Sequence, residues 1–279
     1  MAQIHPLGGK VCGVCGERVY AAYALPGADG VIRCPVCCRL APPFARAVAY
    51  GSYEGGLREL IHLLKYGGVR PAANVLGRML AEAIATLESD FSQPGCARAE
   101  FKQPEVGRTQ QTKFSQATPA SSNSADQTIA MIPVPLHRAK RRQRGFNQAE
   151  LIARAVLKLN AVPGRLVLCV NILERRRETN SQIGLTAHQR RENLRGAFAV
   201  ASAEPIKGRQ VLLVDDVLTT GTTASECARV LLHAGATRVW VATVARTLKL
   251  ASHYAEIAPE QAEQAIEAQE APMAKAVGS

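Results

Sequence analysis

The chain has 279 residues, 47% of them hydrophobic, which allows one large or two small domains with a real core. Its 34 Lys and Arg outweigh 23 Asp and Glu, leaving a net charge of +11 that calls for an anionic partner, a phosphorylated small molecule or nucleic acid. No charged-then-apolar leader pattern and no apolar run of membrane-spanning length is present, so a soluble, cytoplasmic protein without a membrane span is expected. The eight cysteines then suit metal binding better than disulfides.

Cys12-Gly-Val-Cys15 and Cys34-Pro-Val-Cys37 make the pattern C-x2-C-x18-C-x2-C, in the range of a four-cysteine zinc site. Each pair folds into a tight knuckle that presents two thiolates to one tetrahedral Zn²⁺. Gly13, Gly16 and Pro35 suit such knuckles. Too few apolar residues lie between the pairs to make a core, so the metal supplies the folding energy. Two spaced pairs argue against a redox dithiol. Residues 1–45 are therefore expected to be a zinc ribbon, with Cys12, Cys15, Cys34 and Cys37 as ligands of a structural Zn²⁺ and Cys38 as a spare.

Ala49 to Gly56 reads as a short strand and turn. Leu57, Leu60, Ile61 and Leu64 then mark one helical face, ended by Lys65-Tyr66-Gly67-Gly68. Pro71 opens a second helix with Val75, Leu76, Met79, Leu80 and Ala83 inward. Residues 46–87 thus form a helical segment joining the core, in which Lys65 and Tyr66 are either plain helix-end residues or ligand contacts. From Glu88 to Gln127 the apolar period is lost and Ser, Gln, Thr, Ala and Pro dominate, so 88–128 is expected to be a disordered insert.

Order returns at Ile129. Met131-Ile-Pro-Val-Pro135 is a short strand whose prolines suggest a sheet edge or a strand end. Five Lys and Arg follow between Arg138 and Arg144. Asn147 and Glu150 cap a helix with Ile152, Ala155, Val156 and Leu159 on one side. A basic loop between strand and helix is one candidate anion site. His137 is given no role. Arg165 to Leu173 is the next strand, and Glu174 to Arg195, with six arginines and few apolar residues, reads as a mobile loop. Ala197 to Val200 is another strand. Val211 to Val214 is a buried strand running into Asp215 and Asp216. A loop of small hydroxylated residues with one glycine follows. Thr223 and Glu226 have capping-box spacing, so a helix starts there with Ala224, Cys227, Ala228 and Leu231 on its buried face and Gly235 as its stop. Arg238 to Val244 closes the sheet. Residues 129–250 make the main domain, and 251–279 form an acidic tail, disordered or partly helical.

Strands alternating with helices imply a mostly parallel, doubly wound α/β sheet, with ligands at the carboxyl ends of its strands. Free N–H groups at the Thr219–Thr223 loop and the helix dipole favour a phosphate. Asp215 and Asp216 cannot bind that phosphate, but they suit sugar hydroxyls or a hydrated Mg²⁺ beside it. Two carboxylates at a strand end are costly without such a partner.

The stretch Val211 to Thr223 resembles the ribose-5-phosphate loop of type I phosphoribosyltransferases, which use phosphoribosyl pyrophosphate (PRPP). That resemblance implies that Asp215 and Asp216 hold the ribose hydroxyls and carry the catalytic role. It also implies that Thr219, Thr220, Gly221, Thr222 and Thr223 wrap the 5-phosphate. Together with Arg144-Gly-Phe-Asn-Gln148, the Arg177 to Phe198 stretch and the cysteine pairs, the chain resembles the ComF family. Those proteins join a zinc ribbon to a type I phosphoribosyltransferase domain, and several are tied to DNA uptake in natural competence. The resemblance covers all but the insert and the tail. It implies that Pro135 to Gly145, with Arg138, Arg144 and Gly145, is the pyrophosphate loop, and that Glu174 to Arg195 is a flexible hood.

Two functions follow. One is a transferase that binds PRPP, or another phosphorylated ribosyl compound, with Mg²⁺ and passes the phosphoribosyl group to an acceptor. The other is a non-catalytic module on the same fold that handles single-stranded DNA and meets DNA-uptake proteins. The basic loops contain almost no aromatic residue beyond Phe146, which argues against base stacking.

Overall fold

A computed structural model describes residues 4–19, 25–27, 29–92, 128–177 and 194–248. Five parallel strands form the sheet, in the order β3-β9-β8-β4-β5. They are β3 (Arg46–Ser52), β4 (Ile129–Pro133), β5 (Leu166–Leu168), β8 (Gln210–Leu218) and β9 (Arg238–Arg246). Period-2 alternation sends neighbouring residues to opposite faces. Leu212 and Val214 pack with α2 (Gly55–Lys65), α3 (Ala72–Ala85) and α6 (Gln148–Lys158). Val211 and Leu213 pack with α7 (Thr222–His233) and the cysteine module. Both faces are covered, as a parallel sheet requires.

Several expectations change. β4 is an interior strand between β8 and β5, so its prolines mark a strand end and not an edge. Pro133 is its last residue, where a missing N–H costs least. β9 is likewise interior, and Arg46–Ser52 closes the sheet instead, because β3 pairs along β9 from Arg46↔Trp240 to Ser52↔Arg246. The segment from Arg165 to Leu173 splits into β5 and β6 (Leu173–Arg175). β6 pairs antiparallel with β7 (Phe198–Val200), a ribbon apart from the main sheet. Val75, expected inward, is exposed.

Helix α3 crosses α6 closely. A Cβ at Gly77 would lie 2.4 Å from the Ala155 Cβ, so only glycine lets the two backbones approach. The expected insert begins later than Glu88. Glu88–Phe91 is a turn of helix (α4) whose Phe91 is buried edge-on to Trp240, ring centroids 5.5 Å apart. Arg46 holds the same turn through Asp90 at 2.7 Å. Two apolar residues, Leu87 and Phe91, suffice to anchor it. Arg165 clamps both margins of the remainder: its guanidinium donates to Ser92 Oγ and Phe91 O, and its carbonyl accepts from Ile129 N. Residues 93–127, most of the expected hood (178–193) and the tail lie outside the described residues.

The cysteine module consists of a knuckle at Cys12–Gly16, a small hairpin of β1 (Leu25–Pro26) and β2 (Ile32–Arg33), and α1 (Pro35–Arg39). Gly16 takes φ +69, which closes the first knuckle through Gly16 N donating to Cys12 O. Gly13 lets the first knuckle lie against the hairpin, since a Cβ there would meet Val31 Cγ1 at 2.5 Å and its N–H donates to Ile32 O. The module docks on β3, with Ala47 N donating to Val14 O at 2.7 Å.

Candidate functional site

β4 leads through α6 to β5 on one side of it, while β8 leads through α7 to β9 on the other. The strand order therefore reverses between β4 and β8, and the two helices lie on opposite faces. Ligands of open α/β sheets bind in the crevice at such a switch point, beyond the strand ends. The two strands end side by side: Pro133 pairs with Val214, and Val134 N donates to Val214 O. The segments holding Arg138, Arg144 and Gly145 and holding Asp215 to Thr223 therefore lie at the same end of the sheet.

The acidic pair sits where β8 runs out. Asp216 is buried and Asp215 half-buried. Asp215 Oδ1 accepts from the Asp216 N–H at 2.9 Å. Burial, then the Asp216 charge, pushes the Asp215 carboxyl up to about 8. Asp216 meets Lys65 Nζ at 2.6 Å, an ion pair whose side chains are only 16% and 5% exposed. Burial opposes the charge on Lys65, but Asp216 outweighs it and raises the ammonium pKa above its ordinary value. Thr219 and Thr220 are exposed. Thr220 and Thr222 share a hydroxyl hydrogen bond at 2.7 Å. Gly221 takes φ 76 immediately before α7 and supplies no side-chain cap. The expected Thr223–Glu226 capping box is absent. Glu226 instead accepts from Gly196 N at 2.8 Å and pairs with Arg229, tying α7 to the segment before β7. The helix N-terminus keeps its N–H groups for another acceptor.

The basic segment is helical rather than a loop: α5 spans Arg138–Arg144, with His137 as its N-cap accepting from Ala139 N, and Gly145 ends it at φ 76. A histidine given no role thus starts the helix. α5 buries none of its residues, so Arg138, Lys140, Arg141 and Arg142 face solvent. Asn147 caps α6 through Ala149 N and holds the carbonyl of Val134, joining helix and strand end. Arg144 donates to Gln148 at 2.6 Å and stacks over Tyr66, 5.5 Å from its centroid. Tyr66 is 74% exposed. Lys65 and Tyr66, neighbours at the end of α2, thereby link Asp216 to Arg144. Sequence reasoning left their role open. The signal was a lysine one residue past a buried leucine at the end of an amphipathic helix.

Cys12, Cys15, Cys34 and Cys37 converge with their sulfurs within 4.8 Å of one another, while Cys38 stays exposed outside the cluster. A tetrahedral Zn²⁺ with bonds of about 2.3 Å sets its sulfurs about 3.8 Å apart. The Cys15 and Cys34 sulfurs are 3.7 Å apart, and three of the four residues are buried. The donor set fits a closed, structural zinc ion. Beside it Glu17 and Arg246 form a buried ion pair at 3.0 Å, unforeseen from the sequence because the residues are 229 positions apart. Among the described residues no helix is long and apolar enough to cross a membrane.

Residues 144–260 match the phosphoribosyl transferase domain family. The chain is 29% identical over 238 residues to Competence protein F of Haemophilus influenzae, covering 84% of each. It is 28% identical over 247 residues to the DNA utilization protein YhgH of Escherichia coli K12, covering 85% of this chain and 91% of the relative. Competence protein ComFC of Bacillus subtilis matches at 25% over 235 residues, 84% of this chain and 76% of that one. With a four-cysteine cluster docked on a parallel sheet whose strand order reverses between β4 and β8, the chain is similar to these competence and DNA utilization proteins and carries a phosphoribosyl transferase domain.

Proposed function

We propose that the chain binds PRPP with Mg²⁺ in the β4/β8 crevice and transfers its phosphoribosyl group. The observation that supports this most is the meeting of two unlike loops at one switch point: a small, hydroxylated helix start after Asp215 and Asp216, and a cationic helix after β4. In this reading Thr219 to Thr223 take the 5-phosphate through backbone N–H groups and the Thr220 and Thr222 hydroxyls. Asp215 and Asp216 accept from the ribose hydroxyls, and Lys65 keeps Asp216 oriented. Arg138, Arg144 and Gly145 receive the pyrophosphate. Mg²⁺, when bound, supplies charge neutralisation at that pyrophosphate. The protein's part is positioning and charge stabilisation as the ribose–pyrophosphate bond breaks and a nucleophile takes its place.

Asp215→Asn tests this best, because it leaves the Lys65–Asp216 pair whole. At about pH 9, above the raised pKa of about 8, a charge-assisted hydrogen bond lost to ribose weakens PRPP binding by about 1.5–3 kcal/mol, tenfold or more. Melting should hold or rise, since the carboxyl is pushed up by burial and by Asp216. Calorimetric titration with PRPP and Mg²⁺ decides it, and equal PRPP affinity in both proteins defeats the ribose-holding role.

A second reading, single-stranded DNA binding in the cytoplasm alongside DNA-uptake proteins, draws on α5, which presents exposed cations and buries nothing. Two relatives are named for competence and one for DNA utilization. Titration with single-stranded DNA against salt separates it: phosphate contacts give an affinity that falls steeply with salt.

A further inference from the structure

Arg246 is the last residue of β9 and is only 4% exposed. A buried guanidinium needs acceptors for its five N–H groups. One Nη2 hydrogen bond goes to Glu17 Oε2 at 3.0 Å. The same Nη2 lies 3.7 Å from Cys15 Sγ, within hydrogen-bond reach of sulfur. Nε and Nη1 are buried with no hydrogen-bond partner among the described residues. Donors are thus left over beside a sulfur cluster, which fits a cluster whose sulfurs are thiolates and not thiols. Four thiolates around one Zn²⁺ carry two net negative charges, which a buried site must offset. The stem of Arg246 packs along the knuckle: its Cδ would stand 4.0 Å from a Cβ at Gly16, the glycine that closes the Cys12–Gly16 turn.

We propose that Arg246 is an outer-shell positioning residue of the metal centre, donating to the metal-bound Cys15 sulfur and fastening the centre to the end of β9. This inference rests on the four cysteines holding a metal. Outer-shell hydrogen bonds orient ligands, and their loss costs about 10- to 100-fold in metal affinity. Glu17 has the complementary task of turning the guanidinium toward the sulfur. The strand position matters as well. Arg246 pairs with Leu218, the residue before Thr219, and its carbonyl accepts from Tyr53 N at 2.8 Å. The metal centre is thereby joined to the backbone from which the candidate phosphate loop departs.

The test compares Arg246→Gln, Arg246→Lys and Glu17→Gln in the full chain, following zinc transfer to a chromophoric chelator at fixed pH. The spectrum of each Co²⁺-loaded protein is recorded beside it. Arg246→Gln should weaken zinc about 10- to 100-fold and shift the cobalt–thiolate charge-transfer band. Glu17→Gln, which leaves the donor in place and keeps an amide oxygen to accept from Nη2 and hold the guanidinium toward the sulfur, should hold zinc like wild type with an unshifted band. A merely structural ion pair predicts equal loss from both variants, and that outcome overturns the proposal. So does an Arg246→Gln protein that holds zinc like wild type. Should Arg246→Gln fail to fold, Arg246→Lys keeps the charge but not the planar fork: an unshifted cobalt band there overturns the proposal, and a shifted one supports it. Wild-type protein purified without chelator and holding no metal would overturn this inference and the metal reading together.

Discussion

Lys65→Met isolates the contact that joins α2 to the acidic pair. The substitution keeps the aliphatic stem and removes the charge, leaving Asp216 buried without its 2.6 Å partner. Breaking a buried ion pair by deleting one member costs about 3–5 kcal/mol. The 16% exposure of Lys65 lets water screen part of this and places the effect just below that range, about 2–3 kcal/mol. For a domain of this size that is a fall of roughly 4–12 °C in melting temperature. The loss should depend on pH, with a definite sign. Asp215 already sits near 8, raised by burial and then by Asp216, with Lys65 pulling it down. Removing Lys65 raises it further. A carboxyl whose folded pKa exceeds its unfolded value contributes stability that is complete below the unfolded pKa, about 3.9, and lost as pH climbs through the folded one. The deficit of Lys65→Met should therefore be smaller at about pH 5.5 and largest at about pH 9. Adding Asp216→Asn removes the orphaned charge and should recover most of the stability. Thermal melts of wild type, single and double variants at both pH values measure this. A Lys65→Met protein that melts with wild type at the alkaline pH, or a double variant no better than the single one, refutes the ion-pair argument.

Elemental analysis of protein purified without chelator should find about one Zn²⁺ per chain. Removing it should unfold the first 45 residues while the sheet keeps its far-ultraviolet signal; metal-free protein with reduced thiols speaks against the centre. Replacing residues 93–127 by a short Gly/Ser linker should leave the melting temperature nearly unchanged, since loop closure costs only about 0.6 kcal/mol per doubling of length. The deletion must spare Glu88–Phe91, because Phe91 is core, and a large drop from the shorter deletion would contradict the Arg165 clamp.

Local signals carried much of the reading. The period of Leu57, Ile61 and Leu64, the cap at Asn147 and the buried face Ala224, Cys227, Ala228 and Leu231 all depend on neighbours within a turn or two. The paired cysteines were legible because metal geometry restricts spacing. What was missed lies far apart in the chain. That Arg46–Ser52 closes the sheet is decided by β9, about two hundred residues later. The short α4 lacks a period of its own and exists because Phe91 finds Trp240. The capping box failed because Glu226 had a better use against Gly196. Of the candidate site, the Asp pair and the Thr loop could be located from sequence, but Lys65 needed the fold to bring α2 against the end of β8.

The interior place of β9 also orders events in time. Its two neighbours are β3 and β8, and Thr243 reaches the carbonyl of Val48 across 195 residues of chain. At about 5–20 residues per second, a ribosome takes roughly 10–40 s to make that interval. Throughout it β3 has an open edge and the apolar side of α3 has no β9 to cover. The cysteine module, by contrast, has all four of its clustered cysteines within the first forty residues. The nascent chain thus holds its whole cysteine module at one end and a strand without its β9 partner just behind it until Arg238–Arg246 emerges. Truncation inside that last strand would leave the molecule permanently in this half-built condition, with β3 a template for any passing edge.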